Sequence, residues 1–297
     1  MEINGRKIGP DQPPYLIAEM SNNHLGSLDR AKQIIRAARE AGADAVKIQT
    51  YDPEALTIDS SARDFIIQSP LWQGQTYFDL YSRIGLPLEH TSALFECARD
   101  EGITLFSSPF DGKTIDLLMA LDCPAYKIAS FEAVDPEFLK QVAKTGKPVF
   151  MSTGVSTLAD IEKAMAVLEE NGARDILLFH CTSEYPAALE SCNIRALKHL
   201  KQFTSLVGLS DHCLDDSAAL ASIALGGCAV EKHFTLSRAD KGPDAAFSLE
   251  PDEFRQLKQR CDTLWKTLGT DTVLHQDQRP GREHARSLYI VKAVKKG

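Results

Sequence analysis

Two histidines, His212 in SDH and His233 in EKH, stand near the ends of the stretch running from Gly208 to Phe234. Two imidazoles with open positions beside them suit a divalent metal that acts as a Lewis acid on a carbonyl oxygen. Their spacing matches no compact zinc signature, so the fold must bring them together for that chemistry to exist. Two lysines pose a second question. Lys47 in VKIQT and Lys127 in YKIAS interrupt otherwise apolar runs, and a buried cation is costly unless an anion meets it. A phosphate and a carboxylate would suit the pair. Glu19 in IAEM and Glu132 in SFE each follow an apolar run. A carboxylate there serves as a general acid or base with a raised pKa, or bonds a neighbouring lysine.

The elements that must position these residues are legible as an alternation. Short apolar runs, YLIAEM, DAVKIQT, ITLFSSP, AYKIAS, PVFMST, ILLFHCT, LVGLSD and AVEKHF, alternate with stretches whose apolar residues recur at three- and four-residue spacing. Eight strand–helix pairs predict an α/β TIM (β/α)8 barrel, and the glycine-rich first turn of a doubly wound sheet is missing. Barrel active sites form at the carboxyl ends of the strands, so polar residues there belong to one constellation. Gln49, Ser108, Ser130, Ser152, Ser183, Ser210 and Glu231 join the lysines, glutamates and histidines at those ends. His212 and His233 then close the seventh and eighth strands, which are ring neighbours.

MEINGRKIG reads as a short N-terminal hairpin with Asn4-Gly5 at its turn, placed to plug the bottom of the barrel. Residues 51–87 exceed any ordinary connection and are expected over the barrel mouth, with Trp72 as a lid or core aromatic. The barrel is expected over 1–269 and a polar linker over 270–285. Residues 286–297, with strand character in ARSLYIVKAVKKG, would begin another domain. A net charge of −8 argues against a nucleic-acid surface, and no run approaches the roughly 18 apolar residues of a membrane span. Seven scattered cysteines without a CxxC pair, behind no apolar leader, point to the reduced cytoplasm. Cys181 and Cys213 are expected to pack rather than react, and His24 and His180 to be structural.

IAEMSNNH, VKIQT, FSSPFD, YKIASFE, STG, CTSEYP, GLSDH and EKHF, in this order across residues 13–290, resemble the sialic acid synthase (N-acetylneuraminate synthase) family. Within it, LWQGQTYFDLYSRIGLP and FSLEPDEF most resemble the pseudaminic acid synthase branch, with LPLEH departing from that branch's aromatic-rich TPWEWH. The resemblance implies condensation of phosphoenolpyruvate with an acetamido hexose, 2,4-diacetamido-2,4,6-trideoxy-L-altrose, into a nine-carbon 2-keto sugar acid with release of phosphate. An N-acetylneuraminate or legionaminate synthase is the near alternative.

By the same resemblance Lys47, Ser108, Lys127, Ser130, Ser152 and Ser210 would hold phosphoenolpyruvate, and Gln49, Ser183, Tyr185 and Asp244 the sugar. His212 and His233 would bind Mn²⁺ or Mg²⁺. Glu132 would activate water and Glu19 would protonate the sugar alkoxide, two roles that can be exchanged. The family also implies a homodimer and a C-terminal antifreeze-like domain. This chain ends at Gly297, where that domain would begin, so weakened sugar binding and a weakened dimer are expected. Two other readings compete: a class I aldolase, with Lys47 or Lys127 forming a Schiff base, and a sugar-binding subunit without turnover.

Overall fold

The computed structural model of the chain describes residues 1–68, 73–270, 272–273 and 279–297. Two units are compact by themselves, Met1–Thr267 and Leu268–Gly297. Trp72 and part of the expected linker lie outside the described residues.

The first unit opens with the expected hairpin, β1 (Glu2–Ile3) paired antiparallel with β2 (Arg6–Lys7). Asn4 and Gly5 carry φ of 48° and 79°, the left-handed pair that a tight two-residue hairpin needs. The hairpin closes the amino ends of the barrel strands. Asn4 Nδ2 donates to Thr104 Oγ1 at 3.2 Å, and Arg6 Nε donates to Asp44 Oδ1 at 3.3 Å.

Eight parallel strands then close a ring: β3 (Tyr15–Glu19), β4 (Ala45–Thr50), β5 (Thr104–Pro109), β6 (Tyr126–Ile128), β7 (Val149–Ser152), β8 (Ile176–Cys181), β9 (Val207–Asp211) and β10 (Ala229–His233). β10 pairs with both β3 and β9, so the ends carrying His212 and His233 are neighbours, as expected. The strands are buried on both faces, which explains their continuous apolar reading.

Long helices clad the ring: α1 (Leu28–Glu40), α4 (Thr91–Glu101), α5 (Gly112–Ala120), α6 (Pro136–Lys144), α7 (Leu158–Glu170), α9 (Ser217–Ala224) and α10 (Pro251–Leu268). α1 buries Ala31, Ile34, Ile35 and Ala38, one stripe at helical spacing. Its start is fixed by Ser27, whose hydroxyl accepts the Arg30 N–H. Thr157 and Asp160 cap α7 reciprocally, Thr157 Oγ1 accepting from Asp160 N–H and the Asp160 carboxylate from Thr157 N–H. The sixth repeat has only the single turn α8 (Leu197–Leu200) after a 3-10 turn.

Inside the ring, Phe106, Phe150 and Phe179 stack with centroids 5.1 and 5.7 Å apart. Gly208 makes room for that layer: a Cβ there would meet Phe179 Cε1 at 2.8 Å and the Ala229 carbonyl oxygen at 2.5 Å. The aromatic layer is the floor on which the polar mouth rests.

Two regions differ from expectation. Residues 51–87 contain α2 (Pro53–Leu56) and α3 (Tyr77–Ile84), the latter capped by the Thr76 hydroxyl accepting from Asp79 N–H. The segment is therefore not a plain loop. Residues 286–297 form no strand. Leu288, Tyr289, Ile290 and Val291 are exposed, because a strand exists only with a ladder partner and none is paired with them among the described residues. No helix among the described residues is long and apolar enough to cross a membrane.

Candidate active site

At the carboxyl ends of the strands lies a cavity of about 340 Å³, within the range of small-molecule sites. Side chains alternate along a strand, so residues two apart share its inner face. That alternation sends Glu19, Lys47, Gln49, Lys127, Ser152, Ser210, His212, Glu231 and His233 into one space. Ser130, Tyr185 and Asp244 join from the loops beyond the strands, and Leu80, Tyr81 and Ile84 of α3 form an apolar wall.

The floor is a chain of buried charges. Lys127 Nζ donates to both oxygens of Glu231, at 2.8 and 3.0 Å, and sits 4.8 Å from the Phe179 ring centre. Ser210 Oγ donates to Glu231 Oε1 at 3.0 Å. Lys47 Nζ lies 2.7 Å from Glu19 Oε2, 3.8 Å from Glu231 Oε1 and 3.4 Å from Ser108 Oγ. These groups are almost wholly shielded from solvent.

Their protonation follows from the contacts. Burial works to raise the Glu231 carboxyl, but Lys127 and Lys47 outweigh it and hold the pKa down at about 2. Glu19 goes the other way: burial raises it and Lys47 only partly offsets this. Burial lowers Lys127, whereas Lys47 is raised because Glu19 and Glu231 overcome its burial. Two lysines thus face one carboxylate held low by their charge and one raised by burial. Such a site suits a small, strongly anionic ligand.

Above the floor a polar rim is linked by hydrogen bonds. Glu19 Oε1 accepts from Ser21 N–H at 3.1 Å and from Gln49 Nε2 at 3.0 Å. Gln49 Nε2 also donates to Ser21 Oγ at 3.2 Å, and Ser21 Oγ donates to Asp244. Asn22 Nδ2 donates to the same Asp244 oxygen at 3.4 Å. Burial raises the Asp244 carboxyl.

His212 and His233 converge, with ring centroids 5.3 Å apart, under the ring of Tyr185 at 4.3 Å from His212. His212 Nδ1 sits 2.9 Å from the Thr182 carbonyl, so that nitrogen carries the proton and Nε2 keeps its lone pair. Burial works to lower the His212 pKa, but Cys181 and the Thr182 carbonyl raise it overall. His233 is held well below its usual value by burial and by the neighbouring cations, and its buried Nδ1 has no hydrogen-bond partner. A neutral imidazole with an unpartnered nitrogen, beside a second imidazole oriented by a carbonyl, fits a divalent metal. Among the described residues no group of three or more His, Cys, Asp or Glu could hold an ion.

Three predicted residues stand apart from the cavity lining. Ser108 touches the site only through Lys47. Ser183 Oγ lies 3.8 Å from Sγ of the lining residue Cys181, and Glu132 has a carboxyl raised by burial with Oε2 unpartnered. Conversely, Ser21, Asn22, Cys181 and the α3 side chains line the cavity without having been singled out for it. Glu231, recognised only as a strand-end polar residue, is the hub of the floor. The signal for Ser21 and Asn22 was present in SNNH, directly after β3.

A closed parallel barrel with a cavity at its strand ends floored by buried charges defines a barrel enzyme. The chain belongs to the NeuB family, whose model matches residues 34–272. It is 42% identical over 290 residues to the pseudaminic acid synthase of Campylobacter jejuni, covering 97% of this chain and 84% of that protein. It is 35% identical to the N,N'-diacetyllegionaminic acid synthase of the same species over 95% of this chain and 86% of the relative. Among solved structures, the N-acetylneuraminic acid (sialic acid) synthetase of Leptospira borgpetersenii in complex with citrate superposes with a TM-score of 0.85. It has 27% identity, covering 96% of this chain and 94% of that one. The resemblance read from the strand-end motifs and the family assignment agree.

Proposed function

We propose that the protein condenses phosphoenolpyruvate with the open-chain form of 2,4-diacetamido-2,4,6-trideoxy-L-altrose, giving pseudaminic acid and inorganic phosphate. The observation that carries this reading is the pair of buried lysines on the cavity floor, ringed by hydroxyls and lying in one cavity with two converging imidazoles. Phosphoenolpyruvate is small, bears a phosphate and a carboxylate, and matches those cations. The higher identity to a pseudaminic than to a legionaminic acid synthase supports the choice of sugar.

In this reading Lys47, Lys127, Ser130, Ser152 and Ser210 bind phosphoenolpyruvate, with Ser108 supporting Lys47. Gln49, Tyr185 and Asp244 face the sugar, with Ser183 next to the lining residue Cys181. C3 of phosphoenolpyruvate attacks the aldehyde carbon, so a C–C bond forms as the enol double bond opens. The aldehyde oxygen takes a proton, for which Glu19 is the better placed carboxyl, being inside the cavity with its pKa raised by burial. Water adds at C2 and gives its proton to a base; Glu132 is the candidate, next in sequence to the cavity residue Phe131. The tetrahedral centre collapses by C–O cleavage, phosphate leaves and the 2-keto group remains. His212 and His233 would hold Mn²⁺ or Mg²⁺, which supplies Lewis-acid polarisation of a carbonyl oxygen.

The test is phosphate release from phosphoenolpyruvate with a panel of acetamido hexoses, with and without Mn²⁺, on wild type and His212→Ala. Release is expected only when sugar, phosphoenolpyruvate and metal are all present, with a nine-carbon 2-keto acid seen by mass spectrometry. His212→Ala is expected to lose about a hundredfold or more in rate. Activity indifferent to chelator and to that substitution overturns the metal reading. A borohydride-trapped adduct on Lys127 overturns the condensation itself in favour of a Schiff-base aldolase.

A further inference from the structure

On β9 and β10 the inward residues Ser210, His212, Glu231 and His233 line the cavity, while Asp211 and Lys232 between them point the other way, into the layer between barrel and helices. The proposed reaction uses neither. Yet they form a complete ion pair in the protein interior: Lys232 Nζ donates to Asp211 Oδ2 at 2.7 Å, and each side chain is 1% exposed. Replacing a buried ion pair with apolar residues of similar volume is often neutral or stabilising, so stability alone is a weak reason for its presence.

Its bonds show another purpose. Lys232 and Asp211 are the last register partners between β9 and β10, and His212 lies one residue past the end of β9. There the ladder no longer fixes the backbone. The pair takes over on the far side of the histidine: Asp211 Oδ1 accepts the Cys213 N–H at 2.9 Å, and Lys232 Nζ donates to the Asp215 carbonyl at 2.7 Å. The same two side chains thus tie the residue before His233 to the backbone that leads into and out of His212. The Thr182 carbonyl fixes the His212 ring itself.

We infer that Asp211 and Lys232 are positioning residues that set the spacing of His212 and His233 for one divalent ion. This rests on the metal reading given above. Partners that orient metal-binding histidines without touching the ion typically alter metal affinity by about 10- to 100-fold.

The experiment titrates the full-length protein with Mn²⁺ and follows free Mn²⁺ by electron paramagnetic resonance, alongside thermal melts in chelator. The double variant Asp211→Val/Lys232→Met, an apolar pair closer in volume, leaves the Cys213 N–H and the Asp215 carbonyl without these partners, so it is expected to stay folded but melt below wild type, and to bind Mn²⁺ about 10- to 100-fold more weakly. Lys232→Arg, which keeps the charge, is expected to retain most of the affinity. If the double variant fails to fold, Asp211→Asn/Lys232→Met replaces it, with a smaller loss expected because the Asn oxygen can still accept the Cys213 N–H. A folded double variant with wild-type Mn²⁺ affinity overturns the positioning role and leaves the metal reading standing. Wild-type protein that binds no Mn²⁺ overturns the metal reading itself.

Discussion

The two ends of one barrel solve opposite problems with the same eight strands. At the amino end, the hairpin covers the strands with Ile3 and Ile8, both buried, and its charged group Arg6 stays partly in solvent beside Asp44. At the carboxyl end, Glu19, Lys47, Lys127 and Glu231 are shut away from water and satisfied mostly by one another. Desolvating such charges is unfavourable: partner charges overcome it at Glu231 and Lys47, but burial wins at Glu19 and Lys127. The amino end is built to be stable. The carboxyl end accepts a penalty in order to keep strong, oriented charges ready for a substrate.

The sharpest way to separate those roles is Lys127→Met. It removes the cation that engages both oxygens of Glu231. We expect kcat/KM for phosphate release to fall by about a thousandfold. Stability should also drop, by about 3 to 5 kcal/mol, because Glu231 stays buried without its main partner. Adding Glu231→Gln should recover most of the melting temperature and none of the activity. A double variant that recovers both would mean that the ion pair serves stability at this end too, and the contrast between the ends would collapse.

The strands of this contrast were legible; its charges were only half so. Apolar runs buried on both faces announce parallel strands, and the histidine-bearing ends became neighbours as soon as the strands were counted. A lysine inside such a run announces that an anion must meet it, but not whose. Sequence reading assigned that anion to a substrate, with a lysine bond as one alternative for Glu19; the structure meets Lys47 with Glu19, and Lys127 with Glu231, which lies 104 residues away. No local spacing encodes that pairing, since it arises only when the ring closes. α3 was missed for a different reason: YFDLYSRI is short, and its apolar and aromatic residues face a cavity rather than a continuous core. The strand expected near the C-terminus had suitable residues but no ladder partner among the described residues, which composition cannot reveal.

His24 tests the mouth by pH. It ends the turn after β3, is buried, and its Nδ1 accepts the Gly26 N–H at 3.0 Å, so the ring must be neutral there. Burial foremost, helped by Arg30 and His90, lowers its pKa to about 4. The unfolded chain therefore takes up a proton near pH 6.5 that the folded protein resists until about pH 4. The stabilisation is fully present above pH 6.5 and is lost as the pH falls through that window, by roughly 3 kcal/mol in all. Urea unfolding across the window should show this slope, and His24→Gln should flatten it. A slope that survives the substitution would assign the acid sensitivity elsewhere.

The smallest effect is expected at the other end, and it completes the contrast. Arg6→Ala removes a partly exposed ion pair with Asp44 together with hydrogen bonds from the guanidinium to the Lys7 and Pro13 carbonyls, at 2.8 and 2.9 Å. Solvent screening leaves an exposed pair of this kind with about 0.2 to 1 kcal/mol, and the freed carbonyls can turn to water. We expect a loss of about 1 kcal/mol in unfolding free energy with kcat and the KM for phosphoenolpyruvate unchanged. Asp44 Oδ2 would still accept the Leu16 N–H at 2.9 Å, so the start of β3 keeps its tie to the residue before β4. That retained bond is why the loss should not spread along the strands. A change in KM on removing Arg6 would show that the hairpin end is coupled through the barrel to the charged floor, and that the two ends are not separable.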